Sequence, residues 1–217
     1  MAEIRETQVL LLDDEAVALA LRVGASWPTI TQIAEVVDEV SLADAGRRGV
    51  GSLALRGLLT EDEDNPLTEP LRSLVEVVLA GRMVMSSFVA MDNGRTLTLT
   101  NSTLVYEHDG AWVTEVVSPV GAHYVMASSR ESIVDQATAV ASNFLSEEVS
   151  EEGSVGEDLF MVALGQIGPD GPSDAGVPAI RIRPGSVVTG TMLPEVGFHP
   201  SGDDPENLDK LIGSFVC

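Results

Sequence analysis

The chain contains 217 residues and carries a net charge of −22, because 34 Asp and Glu residues outnumber 12 Lys and Arg residues. This charge disfavours nucleic acid as a partner, since nucleic-acid affinity depends on clustered cations, and it disfavours anionic membrane surfaces for the same reason. An apolar fraction of 44% and a charged fraction of 21% are ordinary for a folded globular protein. The length is sufficient to bury a core, and we expect one α+β domain over residues 1–217.

The cysteine content and the N-terminal sequence predict a cytoplasmic protein. Cys217 is the only cysteine, so no intramolecular disulfide can form, as is usual in a reducing compartment. Residues 1–7 include Glu3 and Glu6 and lack the basic and apolar regions of a signal peptide. No apolar run approaches the roughly 18 residues that a membrane span requires. We therefore expect no membrane partner.

The first part of the chain, residues 1–60, predicts a strand followed by helices. Asp13 and Asp14 are typical N-cap residues, and Gly24 is a typical helix stop. Trp27 and Pro28 indicate a turn. The predicted elements are a strand over residues 8–12 and helices over 16–23, 30–40 and 41–55.

The helices before Arg56-Gly57-Leu58 also faintly resemble a winged helix, which leaves a transcriptional regulator as an alternative. Arg47, Arg48 and Arg56 are the cations that a DNA-reading helix would use. Residues 1–60 nevertheless contain nine acidic and five basic residues. Packed helices without a nucleic-acid role are therefore the preferred interpretation.

The central part, residues 61–146, predicts an antiparallel meander between two helices. Asp92-Asn93-Gly94 and His108-Asp109-Gly110 are hairpin signals, because Asn-Gly and Asp-Gly accept positive φ. Within one strand, Leu97 and Leu99 alternate with threonines, so one sheet face should contact helices while the other can stay open. The predicted elements are a charged loop over 61–65, a helix over 71–79, strands over 82–91, 95–100, 103–108, 111–117 and 123–127, and a helix capped by Ser128 or Ser129 that runs to Phe144.

The C-terminal part, residues 147–217, predicts an acidic and loop-rich region. It contains 13 acidic and three basic residues, hence a net charge of −10, with Gly and Pro throughout. Residues 157–167 are compatible with either a helix or a strand. The remaining predictions are a strand over 179–183, loops over 165–176 and 197–205, and a closing helix over 203–216.

No catalytic, cofactor or metal motif emerges from the sequence. His108, His123 and His199 lack neighbouring ligands at zinc spacing. Gly49-Val50-Gly51 is not preceded by a strand or followed by Gly-Lys-Ser, so it does not predict a phosphate loop. We therefore predict a non-enzymatic protein without cofactor or metal. A small-molecule-binding or enzymatic α+β domain that uses an open sheet face remains an alternative.

The apolar side chains of the meander are the candidate partner-binding residues. Methionine suits adaptable binding surfaces but is also an ordinary core residue, and the core interpretation is preferred for the methionines. If the sheet binds a partner, the candidate residues are Met83, Met85, Leu97, Leu99, Val105 and Met126.

The order of these elements resembles a known family. An apolar strand leads into a helix through Leu12-Asp13-Asp14-Glu15, Trp27-Pro28 follows, and a helix closes as Leu53-Ala54-Leu55-Arg56-Gly57-Leu58-Leu59 before an acidic loop, a helix and the meander. From Gln8 to Phe144 this order is similar to that of the EspG family, the cytosolic chaperones of mycobacterial type VII (ESX) secretion. The scarcity of lysine suits a high-GC actinobacterium. The resemblance implies a central antiparallel sheet with helices and a protein client, the apolar tip of a secreted helical PE–PPE heterodimer.

Overall fold

The computed structural model describes residues 8–29, 39–62, 66–92, 97–146, 157–164, 176–193, 197–203 and 207–216. Their strands form one antiparallel sheet of nine strands, flanked by helices, which confirms the predicted α+β class. The strands are β1 (Gln8–Leu12), β2 (Arg82–Asp92), β3 (Leu97–His108), β4 (Ala111–Val117), β5 (Ala122–Ser128), β6 (Glu157–Val162), β7 (Val177–Arg183), β8 (Ser186–Leu193) and β9 (Gly197–Asp203). The helices with described bounds are α1 (Asp13–Arg22), α2 (Glu39–Leu55), α3 (Glu69–Ala80), α4 (Arg130–Ser146) and α5 (Leu208–Phe215). The sheet order is β1-β5-β4-β3-β2-β6-β7-β8-β9.

The central strands β2 to β5 are neighbours in chain order, so the predicted meander is confirmed. Asp109 and Gly110 both have positive φ, 49° and 80°, as the hairpin signal between β3 and β4 requires. The prediction of two strands between residues 95 and 108 was wrong, because β3 is continuous. Neither Asn101 nor Ser102 has a positive φ, so the backbone stays extended through them. The turn predicted after Asp92 lies outside the described residues.

The chain divides into two compact units, and strand β3 passes through both. Unit 1 comprises Met1–Arg82 and Tyr106–Ser128. In it, β1 pairs with β5 and β5 with β4, while α1 contacts β1, β5 and α2, and α3 contacts β4 and β5. One face of these strands is buried, with Leu11, Val113 and Val125 at most 2% exposed.

The helices of unit 1 begin and end close to their predicted positions, with one correction. Helix α1 begins at Asp13 with Leu12 as its N-cap, so Asp13 and Asp14 lie inside the first turn rather than at the cap. The backbone N–H of Leu12 donates to Oε2 of Glu15 at 3.0 Å, which is the contact that a glutamate at the third helical position makes in a capping box. Gly24 has the positive φ (66°) expected after the helix end. The helix predicted over residues 30–40 lies largely outside the described residues, although Pro28 and Thr29 are helical.

Unit 2 comprises Met83–Val105 and Ser129–Cys217. Its strands β2, β6, β7, β8 and β9 pair consecutively and antiparallel. Helix α4 contacts β7 and α5, and one sheet face is fully buried, with Met161, Ile180 and Ile182 at 0% exposure. The guanidinium of Arg130 joins the helix ends, since its Nε donates to the carbonyl of Val216 at 2.6 Å.

The C-terminal part contains more strands than the sequence predicted. Residues 157–162 form a strand, and the single strand predicted over 179–183 is the first half of a hairpin that continues as β8. Pro184 and Gly185, the latter with φ of 72°, connect the two strands. The loop predicted over 197–205 was wrong over residues 197–203, which are β9. A β-bulge between Thr189 and Gly190 breaks the alternation that would have revealed the pairing. The closing helix is confirmed as α5.

Candidate functional site

Unit 1 presents an open apolar sheet face, here called the β1–β5 face and defined by Leu10, Leu12, Tyr124 and Met126. Leu10 lies directly across from Tyr124, and Gln8 lies across from Met126. Leu10, Leu12 and Tyr124 are 39%, 50% and 49% exposed, which is high for large apolar side chains in strands. An open groove of 310 Å³ runs along this strand pair. Contiguous exposed apolar surface of this kind is typical of a binding surface.

The outer edge of β1 is covered by an ion pair between the partly exposed Arg56 and the buried Glu15. Nη2 of Arg56 donates to the carbonyl oxygen of Leu10 at 2.7 Å, and Glu15 accepts the N–H of Leu12. Arg56 and Glu15 contact each other, with Nη1 and Oε2 2.5 Å apart, and the Glu15 side chain has no exposed surface. Two backbone groups that a further strand would use are therefore occupied, so the face rather than this edge is available to a partner.

The opposite, buried face of the same strands contains a polar network around Glu115. Its Oε1 accepts the indole N–H of Trp27 at 2.8 Å and lies 2.7 Å from Nδ1 of His123. Its Oε2 accepts the hydroxyl of Tyr106 at 2.7 Å. The hydroxyl of Thr29 completes the set at 3.3 Å from Oε1. All five side chains come from the buried part of unit 1, so each polar group depends on another.

The network reaches solvent through Asp13. Nε2 of His123 lies 2.7 Å from Oδ1 of Asp13, a side chain that is 47% exposed. Burial lowers the pKa of His123, but the hydrogen bonds and charges of Glu115 and Asp13 outweigh it and raise that pKa above 6.5. Burial and the Glu115 carboxylate raise the pKa of Tyr106 well above its usual value.

This network supplies no obvious nucleophile or metal site. The hydroxyl of Thr29 lies 3.4 Å from Nδ1 of His123, and Thr29 is itself only 5% exposed. Within the described ranges, no group of three His, Cys, Asp or Glu side chains could hold a metal ion. The arrangement instead ties the segment at Trp27 to the β4–β5 hairpin, which positions the strands that carry the β1–β5 face.

The six candidate partner-binding residues fall into different environments. Met85 and Val105 belong to the core at 2% and 1% exposure, whereas Met83 and Met126 are half-buried. Leu97 and Leu99 lie in β3, but their side chains are outside the described part. Of the four whose side chains the structure describes, Met126 lines the groove of the β1–β5 face.

Sequence reasoning missed Leu10, Leu12 and Tyr124 as exposed apolar residues. The apolar run of residues 9–12 does not alternate with polar residues, so the sequence pattern did not show which side chains face outward. It also missed the partners of His123, which lie eight and 110 residues away in the chain. One signal was present: Glu115 is the charged residue of strand β4, whose other residues are apolar except for Thr114.

Comparison with known proteins places the fold. No protein-family model matches the sequence, and no curated protein matches it. The structure is similar to that of the Mycobacterium tuberculosis type VII secretion system chaperone EspG5, solved in complex with a PE25–PPE41 dimer. The TM-score is 0.52 and the sequence identity 9%, over 97% of this chain and 94% of that one. The predicted EspG-like fold is thereby confirmed. None of the described helices is long and apolar enough to cross a membrane.

Proposed function

We propose that this protein is a non-enzymatic, cytoplasmic chaperone that binds a secreted helical client of the PE/PPE type and keeps it soluble. The observation that carries the proposal is the likeness to EspG5 over nearly the full length of both chains. The β1–β5 face supports it, because Leu10, Leu12 and Tyr124 expose apolar surface that a client could cover. A net charge of −22 would keep a protein with such a surface soluble on its own.

The enzymatic alternative has less support. The polar network lies on the buried face, and its acceptors are already occupied, with three groups within 3.3 Å of Oε1 of Glu115. The β1–β5 face, which is open, is lined mainly by apolar side chains. A substrate on that face would meet the phenol of Tyr124 and the amide of Gln8 but no convergent set of acids and bases.

The regulator alternative is also weakened, because its three candidate cations are paired with carboxylates. Arg47 contacts Asp44, and Arg48 holds Asp14 through two hydrogen bonds of 2.7 and 3.0 Å. Arg56 is bound to Glu15. Guanidinium groups neutralised in this way cannot replace the counterions of a phosphate backbone without breaking these pairs.

Co-expression tests the proposed function. The tagged chain would be produced with each PE–PPE-type pair of its source organism, with PE25–PPE41 as a reference client, and analysed by size-exclusion chromatography with light scattering. We expect one pair to remain soluble and to elute with the chain. If every pair precipitates or elutes apart from it, the proposal is wrong.

Surface variants then test where the client binds. Tyr124→Ser on the β1–β5 face should weaken client binding about tenfold, the loss expected for one well-packed aromatic contact. Val40→Ser is the matched control, because Val40 is 71% exposed at the start of α2, the end of that helix opposite to Arg56, which contacts Leu10. Both variants should have the same urea unfolding midpoint as the wild type. Equal binding by the two would exclude the β1–β5 face as the client site.

A further inference from the structure

Unit 2 contains a cluster of aromatic side chains around one arginine, here called the Arg181 site and defined by Phe88, Phe160, Arg181 and Phe198. Phe88, Phe160 and Arg181 occupy directly opposite positions on β2, β6 and β7, so they share one sheet face. The rings of Phe88 and Phe160 stack with centroids 5.4 Å apart, and Phe198 meets Phe160 edge-on at 5.7 Å. Cζ of Arg181 lies 5.2 Å from the centroid of the Phe198 ring.

The Phe198 ring reaches this position because β8 has a glycine beneath it. A Cβ at Gly190 would lie 2.7 Å from Cζ of Phe198 and 2.4 Å from the carbonyl oxygen of His199. The neighbouring bulge between Thr189 and Gly190 sets the local register. The backbone is thus shaped to bring an aromatic ring from the edge strand onto the guanidinium, rather than leaving Arg181 to extend into water.

The charge of Arg181 is not matched by a carboxylate within the described part of the chain. Its Nε is buried and has no hydrogen-bond partner there. Two residues along the same strand, Arg183 is paired with Asp158, which accepts from its Nη2 at 2.7 Å. Arg22 and Lys210 also lack an ion pair among the described residues, but both are exposed to water. Arg181 therefore combines partial burial with an unmet requirement for an acceptor, which is costly.

We propose that the Arg181 site binds the carboxylate of an Asp or Glu side chain presented by an apolar segment of a protein partner. A planar guanidinium pairs preferentially with a carboxylate through two parallel hydrogen bonds, and at Arg181 these would be donated by Nη1 and Nη2 because Nε is buried. The half-buried rings of Phe88 and Phe198 and the side chain of Met192 would contact the apolar residues that flank this acid. A chain of net charge −22 repels a broadly acidic surface, so the site selects a single carboxylate within an apolar segment.

This inference deepens the proposed function and rests on it for the class of partner. One arm of the experiment therefore uses peptides instead of a client, so that it tests the Arg181 site independently of the proposed function. Sixteen-residue peptides displayed on phage would be selected against the full-length chain, and the enriched peptides synthesised with their acidic residue intact or changed to the amide. Binding would be measured by fluorescence anisotropy for the wild type, Arg181→Gln, Arg181→Lys and Arg22→Gln. The Arg22→Gln variant changes the net charge equally at an exposed site. The Arg181→Lys variant keeps the charge if Arg181→Gln fails to fold.

The expected result is an enriched acid among apolar residues. Its change to the amide should weaken binding to the wild type and Arg22→Gln at least tenfold, and should have little effect with Arg181→Gln or Arg181→Lys. No enrichment of acidic peptides, or an equal loss in all four proteins, would overturn the Arg181 site. In the second arm, a co-expressed client that binds wild type and Arg181→Gln alike would also overturn it while leaving the proposed function intact.

Discussion

Nε1 of Trp27 lies 2.8 Å from Oε1 of Glu115, so a carboxylate without exposed surface holds an indole that is 88 residues distant in the chain. Tyr106 and His123 converge on the same carboxylate. Removing the acceptor at this position would leave several buried donors unsatisfied at once. Glu115 is therefore the shared hydrogen-bond acceptor for buried side chains from three separate segments of unit 1.

The Glu115→Gln variant should lose about 2–4 kcal/mol of unfolding free energy, because an amide nitrogen replaces one of the two acceptor oxygens and the charge is lost. Urea denaturation followed by tryptophan fluorescence measures this loss. Glu76→Gln is the matched control, since Glu76 is exposed on α3 and should change stability by less than about 0.5 kcal/mol. Similar urea midpoints for the two variants would show that the Glu115 network contributes little to the stability of the protein.

Stability should depend on pH through His123. Its pKa is raised in the folded protein, so its contribution is fully present below the unfolded value of about 6.5 and is lost as the pH rises through the folded value. Unfolding free energy should therefore fall across this window, with a slope of up to about 1.4 kcal/mol per pH unit. Urea titrations at a series of pH values measure the slope, and His123→Gln should remove it. A wild-type slope of opposite sign would contradict the protonated network.

Two ion pairs of α1, one with Arg48 in α2 and one with Arg56 directly after α2, should contribute differently to stability because they differ in burial. Arg56 binds Glu15, which has no exposed surface, whereas the side chains of Arg48 and Asp14 are 62% and 35% exposed. We expect Arg56→Ala to cost about 3 kcal/mol and Arg48→Ala less than about 1 kcal/mol. Arg56→Ala also frees the Leu10 carbonyl at the edge of β1, so this variant should self-associate more at high concentration. Light scattering and urea denaturation check both effects.

Gly49 and Gly51 lie two positions apart in α2, and replacing each by alanine should change the stability of the protein in opposite directions. A Cβ at Gly49 would lie 1.9 Å from the backbone carbonyl oxygen of Asp14, so the two helices would have to separate. Nothing lies within 4 Å of a Cβ at Gly51. Gly49→Ala should lower the unfolding free energy by about 2 kcal/mol or more because of overpacking. Gly51→Ala should raise it by about 0.5–1 kcal/mol because alanine has the higher helix propensity. Thermal denaturation of the two variants checks the pair.

The meander was predictable because its signals are local. Asp109 and Gly110 sit at the turn that their sequence indicates, and the helix stop at Gly24 has the expected φ. The C-terminal strands were harder to predict from the sequence. Pro200 and two glycines lie within β9, and the bulge at Gly190 interrupts the alternation of side chains along β8. Residues 197–203 form strand β9 because their backbone hydrogen-bonds to β8. The residue types of this segment do not by themselves predict a strand.

The open face and the polar network could not be predicted for a different reason. Whether Leu10 or Leu11 is exposed depends on the register with β5, and that register joins residues more than a hundred positions apart. The same distance separates Asp13 from His123. Side chains at such separations carry no common sequence pattern, so composition shows only that a buried Glu or His would need a partner.

The separation between Trp27 and its acceptor also has a consequence for synthesis. Trp27 leaves the ribosome roughly a hundred residues before the β4–β5 hairpin is complete, which corresponds to about 5–20 s at ordinary elongation rates. Throughout this interval β1 lacks its partner strand β5, and the apolar residues 9–12 of β1 are unpaired. The nascent N-terminal segment is thus itself a candidate substrate for ribosome-associated holdases.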